Sequence, residues 1–398
     1  MSIVIGDKKI KDINVSNKNV QKIVDIITGE IIFEKDKPIS SEYFFIENTY
    51  DGSNTITIKT IKNLDTTDSY ATQLQYSKDK DNWTTITLTG TNTIPMKIGE
   101  RVYFRNDNGF FNCYDLYTHI KCSYSHKVGG NIKSLLNFTD NDVAYTPYCF
   151  YELFYSNSTL IDANELIIPN SKLAEYCLNK MFYGCTSLIQ APSLPATNLE
   201  KYCYSGMFTN CTSLEKSPSL PATNLKIGCY YNMFYGCTSL IQAPSLPATK
   251  LASNCYQQMF RNCKVLTTTP ILPSTTLEIA CYSQMFQGCT SLVNVSSLPA
   301  TNLEKYCYNG MFRDCTSLVN APILPAENLV QECYYYMFYN CSSLNNVTSY
   351  ANDISASNCT YNWLSGVSST GTFYNYGSAE YVDDSVSGIP TGWTVVKN

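Results

Sequence analysis

Histidine is almost missing from this chain, with two residues in 398, which leaves little room for His-based catalysis or for several His-rich metal sites. Charge is scarce as well. Only 15% of residues are charged, and 28 Lys+Arg against 33 Asp+Glu leave a net −5. Without a basic field to condense on phosphates, no nucleic-acid partner is expected. No stretch approaches the roughly 18 apolar residues of a membrane span, so no membrane insertion is expected. The amino terminus, MSIVIGDKKIKDINV, lacks the apolar core and small-residue cleavage site of a secretory leader. The expectation is folding in a reducing cytosol, or a leader already removed, and a disulfide framework is not expected. No nucleophile elbow, P-loop or dinucleotide fingerprint is present.

Cysteine and tyrosine, by contrast, are plentiful, at 18 and 32 residues. Spacing explains the cysteines. Met-Phe recurs with a constant 26-residue period at Met181, Met207, Met233, Met259, Met285, Met311 and Met337, inside the frame C-Y-x-x-M-F-x-x-C-T-S-L-x-x-A-P-x-L-P-A-T-x-L. One cysteine column runs Cys177, Cys203, Cys229, Cys255, Cys281, Cys307, Cys333 and Cys359. The other runs Cys185, Cys211, Cys237, Cys263, Cys289, Cys315 and Cys341. Cys149 opens an atypical first copy, with Leu153, Phe154 and Leu160, slightly more than one period ahead of Cys177 and carrying Asn157 where the second cysteine belongs. Atypical copies at the ends are the mark of a capped solenoid.

Within a copy, Leu199, Cys203, Met207 and Cys211 step by four, which predicts one apolar stripe of a short helix. Thr197-x-x-Glu200, Thr275-x-x-Glu278 and Thr301-x-x-Glu304 have capping-box spacing at its start. Gly184, Asn210, Gly236, Asn262, Gly288, Asp314 and Asn340 form a column tolerant of positive φ at its end, as a left-handed C-cap requires. Leu188 and its equivalents then begin a short extended segment, which Pro192 and Pro195 confine. The predicted unit is a helix-turn-strand repeat that buries its apolar stripe only by stacking on neighbours.

Outside the array, residues 1–37 alternate apolar and polar (Ile3, Ile5; Ile10, Ile13, Val15; Val20, Ile23; Ile31, Phe33), with turn signals at Gly6-Asp7, Ser16-Asn17 and Thr28-Gly29. They read as a small meander of strands, too short to fold alone. It is expected either to dock onto another protein or another copy of itself, or to add a strand pair to the next domain. Residues 38–130 carry alternating strands (Thr55–Lys59, Thr84–Leu88, Arg101–Phe104) typical of a β-sandwich. Val128-Gly-Gly-Asn131 reads as a linker.

The motif M-F-x-x-C-T-S-L-x-x-A-P-x-L-P-A-T, for example Met181 to Thr197 and repeated seven times, resembles the BspA-like leucine-rich repeats of surface proteins from gut and oral anaerobes. Leu74-Gln-Tyr-Ser with Trp83, and Gly99–Phe104, look like the β-rich module that often precedes such arrays. Trp363-Leu-Ser-Gly-Val with Gly388–Trp393 looks like their C-terminal cap. The resemblance covers about residues 41–398 and implies adhesion or recognition without chemistry. The short strand-rich leader resembles the attachment ends of bacteriophage fibre and virion decoration proteins.

The expected fold is therefore α+β: a small β anchoring or oligomerisation unit (1–37), a β-sandwich-like module (38–130), a solenoid of 26-residue helix-turn-strand repeats (131–362) and a C-terminal cap (363–398). Within a helix, Cys203 and Cys211 would lie about 12 Å apart. Cys203 and Cys229, on stacked helices about 8–10 Å apart, would be too far for a disulfide as well. Zinc would want C-x₂₋₄-C spacing, so buried, reduced thiols packing between repeats are expected. Cys113, His119, Cys122 and His126 superficially match a four-ligand zinc set. Leu116–Tyr124, however, also reads as a strand that puts His119 and Cys122 on opposite faces, so no metal and no cofactor is expected. A depolymerase would need paired carboxylates across a groove. Acids are sparse in the repeats: Glu200, Glu278 and Glu304 are used as caps, and Glu215, Asp314 and Glu332 fall in different columns. No catalytic residue is assigned.

Tyrosine divides in two. Tyr204, Tyr230, Tyr256, Tyr282, Tyr308 and Tyr334 are constant and read as packing. Two columns vary freely: Tyr183, Thr209, Tyr235, Arg261, Gln287, Arg313, Tyr339, and Asn179, Ser205, Tyr231, Gln257, Ser283, Asn309, Tyr335. Variation against a fixed frame predicts solvent exposure, or simply a soluble outer face. The binding candidates are Tyr183, Tyr231, Tyr235, Arg261, Arg313, Tyr335 and Tyr339, side chains suited to protein or glycan recognition. The leading expectation is a non-enzymatic virion fibre or decoration protein. Residues 1–37 would join other virion proteins, the solenoid would meet a host surface protein or glycan, and the chain would be a homo-oligomer. The alternatives are a bacterial cell-surface adhesin and a capsular polysaccharide depolymerase.

Overall fold

The computed structural model describes residues 43–62, 71–109, 111–139, 143–169, 172–384 and 386–397, and the backbone of four short strands before residue 43. The chain divides into two compact units, Met1–Glu42 and Tyr43–Asn398. In the first, β1 (Ile3–Ile5) pairs antiparallel with β2 (Lys8–Ile10), and β3 (Lys22–Val24) with β4 (Ile31–Glu34). The expected strand through Ile13 and Val15 and the turns at Gly6, Ser16 and Thr28 lie outside the described residues.

In the second unit, β5 (Phe44–Asn48), β7 (Gln73–Ser77), β8 (Thr84–Thr87), β10 (Arg101–Arg105) and β12 (His126–Asn131) belong to one sheet. β6 (Asn54–Lys62), β9 (Thr91–Met96) and β11 (Leu116–Cys122) form another. β6 shows how its sequence dictates its faces, because Asn54, Ile56 and Ile58 point inward while Thr55 and Thr57 are half-buried. Phe44, Ile46, Ile56, Ile58, Val102 and Phe104 are fully excluded from solvent. β13 (Leu160–Ile167), from the first copy of the repeat, completes the larger sheet, whose six strands run β13-β12-β5-β10-β7-β8. Val128–Asn131 is therefore not a linker. It lies in β12, between β5 and β13, and Gly130 has no room for a Cβ, which would sit 2.0 Å from the Tyr43 carbonyl oxygen.

The array corrects the α+β expectation. Among the described residues the only helical element is the 3₁₀ turn Ile132–Leu135, and the segment expected as a helix is a ribbon of overlapping β-turns. In one rung the amides of Cys203, Ser205, Met207, Thr209 and Cys211 donate to the carbonyls of Glu200, Tyr202, Tyr204, Gly206 and Phe208, three residues back. The alternate amides of Tyr202, Tyr204, Gly206, Phe208 and Asn210 donate out of the rung, to Ile227, Cys229, Tyr231, Met233 and Tyr235 of the next copy. An α-helix would keep all of these bonds within the segment. Positive φ falls at Tyr202 (52°), Gly206 (62°) and Asn210 (58°). These are the third positions of turns whose second positions keep negative φ, which is the type II geometry.

Two physical reasons favour the ribbon. A four-residue step on a helix drifts about 40° each time, so Cys203, Met207 and Cys211 would spread around its surface, whereas the ribbon repeats every four residues and keeps all three inside. Stacked helices also sit about 8–10 Å apart, while the other sides of each rung are extended and bridge in parallel, as at Lys216↔Gln242, Thr268↔Asn294 and Asn224↔Lys250. Strand pairing sets a rise of about 4.8 Å per rung, which the ribbon matches through its own bonds to the next copy, whereas helices there would have to fan apart by curving the stack. The capping boxes at Thr197, Thr275 and Thr301 therefore have no helix to cap. The Gly184–Asn340 column does take positive φ, as the last of three such positions in each ribbon.

The C-terminal residues continue the ladder. β14 (Asn346–Ser349), β15 (Thr372–Asn375) and β16 (Thr394–Lys397) pair in parallel. Trp363 lies 6.2 Å from Tyr334 and 5.6 Å from Tyr381, ring on ring, and its Nε1–H donates to the Gly388 carbonyl at 2.8 Å.

One exception to the repeat compensates for another. Ser296 stands in the column of Pro192, Pro244 and Pro270, so it has an amide that the prolines lack. That amide donates to Thr269 Oγ1 at 2.8 Å, and Thr269 occupies a column that is alanine at Ala191, Ala243 and Ala321. We predict that Thr269→Ala and Ser296→Pro each destabilise by about 1 kcal/mol, while the double variant returns close to the parent. Additive losses in denaturant titrations would refute the pairing.

Candidate recognition surface

The interior of the array is built from ladders. Phe182, Phe208, Phe234, Phe260, Phe286, Phe312 and Phe338 stack at 5.5–5.8 Å. Tyr204 to Tyr334 stack at 5.7–6.1 Å. All eighteen cysteines are buried and free. With rungs this close, the separation expected between stacked helices does not hold, and adjacent copies lie within disulfide reach. What distinguishes the two columns is hydrogen bonding. The thiols of Cys185, Cys211, Cys237, Cys263, Cys289, Cys315 and Cys341 each donate to the phenylalanine carbonyl of the preceding copy, at 3.0–3.1 Å. In the other column the thiols of Cys149 and Cys333 reach carbonyls only at 3.8 and 4.0 Å, and the end residue Cys359 alone has a close partner, the Ile354 carbonyl at 3.2 Å. Burial pushes Cys185, Cys237, Cys289 and Cys307 up to about 12, and Cys229 and Cys255 higher still.

Both histidines lie where the β-module meets the first rung, and among the described residues neither belongs to a group of three or more potential metal ligands. His126 is buried. Its Nδ1 faces the Tyr124 carbonyl at 3.1 Å and its Nε2 receives the Asn157 amide at 3.1 Å, so the ring is neutral with the proton on Nδ1. Asn157 thus replaces a thiol donor with an amide donor, which also serves the Ile120 carbonyl. Burial lowers His126 to about 4, against about 6.5 in an unfolded chain. The folded state resists the proton, so its stability is complete above about pH 6.5 and falls as pH drops toward 4. A loss of about 3 kcal/mol is expected across that window. His126→Gln should flatten this slope in denaturant titrations at pH 7 and 4.5, and an unchanged slope would refute the assignment. His119 Nε2 lies 3.5 Å from Glu152 Oε2, and Lys180 Nζ lies 3.3 Å from Oε1. Burial disfavours the charge on Glu152, but His119, Tyr151 and Lys180 outweigh it and hold the carboxyl below its usual range.

The candidate binding residues occupy the ribbon side of the array. All seven are half-buried: Tyr183, Tyr231, Tyr235, Arg261, Arg313, Tyr335 and Tyr339. The two variable columns are not uniformly exposed, however. Asn179, Ser205, Thr209, Ser283 and Gln287 are buried, and Thr209 Oγ1 donates to the Asn232 carbonyl at 2.7 Å. Variation there reflects local hydrogen bonding rather than exposure. Tyr183 stacks on Tyr155 at 4.9 Å, which stacks on His119 at 5.5 Å. Arg261 lies over Tyr235 at 5.5 Å and donates to Gln284. Arg313, Tyr335 and Tyr339 come together at the far end with two residues that the column pattern had not singled out, Tyr336 and Tyr361. A third stack, Tyr148–Tyr176–Tyr202, lies in another unforeseen column, with spacings of 4.7 and 5.0 Å. A signal for these columns existed. Gly206, Asn232 and Asn362, and Gly228, Asn254 and Asn358, recur at the 26-residue register with Tyr336 and Tyr202 respectively, and they mark positive φ.

A BspA-type leucine-rich repeat region is recognised in six copies, over residues 146–292 and 253–365, together more than half of the chain. No curated protein and no solved structure matches it.

Proposed function

Because the chain belongs to the BspA-type leucine-rich repeat family, we propose that it acts by contact: a non-enzymatic attachment protein that presents the side chains of its solenoid to a partner surface. One observation carries this reading. The constant cysteine, methionine, phenylalanine and leucine columns are consumed by internal ladders, thiols included, so the side chains left to differ at the half-buried outer positions are polar and aromatic. The family is surface-associated, and a surface or adhesion role is the coarse assignment.

The finer assignment is a bacteriophage fibre or virion decoration protein, with the N-terminal unit as its anchor to other virion proteins and the solenoid turned to a host surface protein or glycan. Its support is the short strand-paired leader, set off by chain contacts as Met1–Glu42. Mass spectrometry of particles purified from the producing culture should find the chain at a fixed ratio to capsid or tail proteins. Recovery in the envelope of particle-free cells would overturn the virion assignment and support a cell-surface adhesin instead.

A further inference from the structure

We propose that the recognition site is the aromatic–arginine cluster Arg313, Tyr335, Tyr336, Tyr339 and Tyr361, and that it takes a neutral polysaccharide. This rests on the attachment role above and deepens it. The aromatic groups of the array's ribbon side differ between its two ends. Near the β-module two runs of rings are stacked face to face and consume one another, although Tyr151 meets Tyr117 and Tyr148 edge-on. Tyr176 lies between Tyr148 and Tyr202 at interplanar angles of 5° and 11°. Tyr202 in turn covers Gly228, where a Cβ would sit 2.1 Å from the ring. Tyr155 is likewise enclosed between His119 and Tyr183.

At the other end Tyr335 and Tyr361 still stack, at 5.3 Å and 18°, but Tyr336 and Tyr339 do not join the stack. Tyr336 meets Tyr335, Tyr339 and Tyr361 at 66°, 63° and 71°, with centroids 4.5, 4.9 and 5.9 Å away. Edge-to-face contact leaves ring faces unused. One face of Tyr339 carries the Arg313 guanidinium at 5.0 Å, which also lies 5.1 Å from Tyr336. On the opposite side, the next rung places Ser365 and Gly366 in line with Tyr339 and Asn340, a step down beside the ring.

The chemistry favours a sugar over a protein or a polyanion. The C–H face of a pyranose packs on a tyrosine ring, and its hydroxyls need donors and acceptors beside it. Asn362 Nδ2 donates to Tyr336 Oη at 3.1 Å, and Asn309 stands one rung before Tyr335 in the same column. Of the array's exposed aliphatic side chains, Ile241, Ile271, Val293 and Ile323 lie in the segment after the second cysteine, and Ile227 and Ile279 lie at the start of earlier ribbons. The cluster's own rungs carry Lys305, Gln331 and Ser357 at that position, so the cluster lacks the aliphatic surround of a protein-binding core. Arg313 is met by Asp314, 3.4 Å from its Nε, which leaves no net positive charge to draw an anionic chain.

The test is affinity electrophoresis of the full chain in native gels containing mannan, galactomannan, dextran or mixed-linkage β-glucan, with heparin and polygalacturonate as anionic arms. At least one neutral polymer should retard the chain. Tyr339→Ala should weaken that retardation about tenfold or more, Tyr339→Phe should stay within about twofold, and Tyr176→Ala should match the parent. If Tyr339→Ala fails to fold, Ser365→Trp fills the step beside the ring without removing a contact, and should abolish retardation. Retardation by anionic polymers alone, by no neutral polymer, or undiminished in both Tyr339→Ala and Ser365→Trp overturns the proposal. Binding of the labelled chain to host cells separates the two readings. Cell binding that survives Ser365→Trp refutes the glycan site and leaves attachment standing, whereas no cell binding by the parent refutes attachment itself.

Discussion

At pH 8 without denaturant, the repeat thiols are expected to react with iodoacetamide about a thousandfold more slowly than an ordinary cysteine, and to become reactive together once the array opens. The alkylating species is the thiolate. Cys185, Cys237, Cys289 and Cys307 are raised by burial from 9.0 to about 12, and each tenfold loss of thiolate corresponds to one such step. Exclusion of the reagent slows the reaction further. Time-resolved alkylation read by mass spectrometry decides the matter: prompt labelling of the native chain would refute the buried ladder, and resistance after denaturation without reductant would reveal disulfides. Serine substitution separates the columns. Cys237→Ser keeps a donor for the Phe208 carbonyl and should cost about 1 kcal/mol or less. Cys229→Ser buries a hydroxyl in an apolar column and should cost about 2–3 kcal/mol, more than Cys229→Ala. The reverse order would show that hydrogen bonding does not distinguish the columns.

Phe234→Ala should lower stability by about 3–5 kcal/mol. The ring is fully buried, 5.6 Å from Phe208 and 5.7 Å from Phe260, nearly parallel to both. Its loss opens a cavity that rungs tied by backbone bonds cannot close. The neighbouring ladder should respond with the opposite sign. The hydroxyls of Tyr204, Tyr230 and Tyr282 are buried without a hydrogen-bond partner, so Tyr→Phe at each removes an uncompensated desolvation and should be neutral or stabilising by about 1 kcal/mol. Guanidinium titrations of Phe234→Ala, and of the triple Tyr→Phe variant, check both. A destabilised triple variant would mean that those hydroxyls have partners, such as bound water.

The 26-residue period, by itself, determined the repeat boundaries, the buried cysteine, methionine and phenylalanine columns and the positive φ at Asn210 and its equivalents. These follow from identical residues meeting identical surroundings in stacked copies. Alternation likewise revealed β6, β8 and β10. The ribbon was not legible. Leu199, Cys203, Met207 and Cys211 at four-residue spacing suit a helix just as well, and Tyr202, Lys180 and Gln258 carry no local mark of positive φ. Only the stacked array decides between them. Parallel bridges on the other sides of the rung set a rise that stacked helices could meet only by fanning apart, and half of the ribbon's amides bond to the next copy along the chain. The same holds for the surface. The variable columns could be read from the chain, but whether a tyrosine is spent in a stack, as Tyr176 is, or meets its neighbour edge-on, as Tyr339 does, depends on the residues of the adjacent rungs. Those neighbours exist only in the folded array.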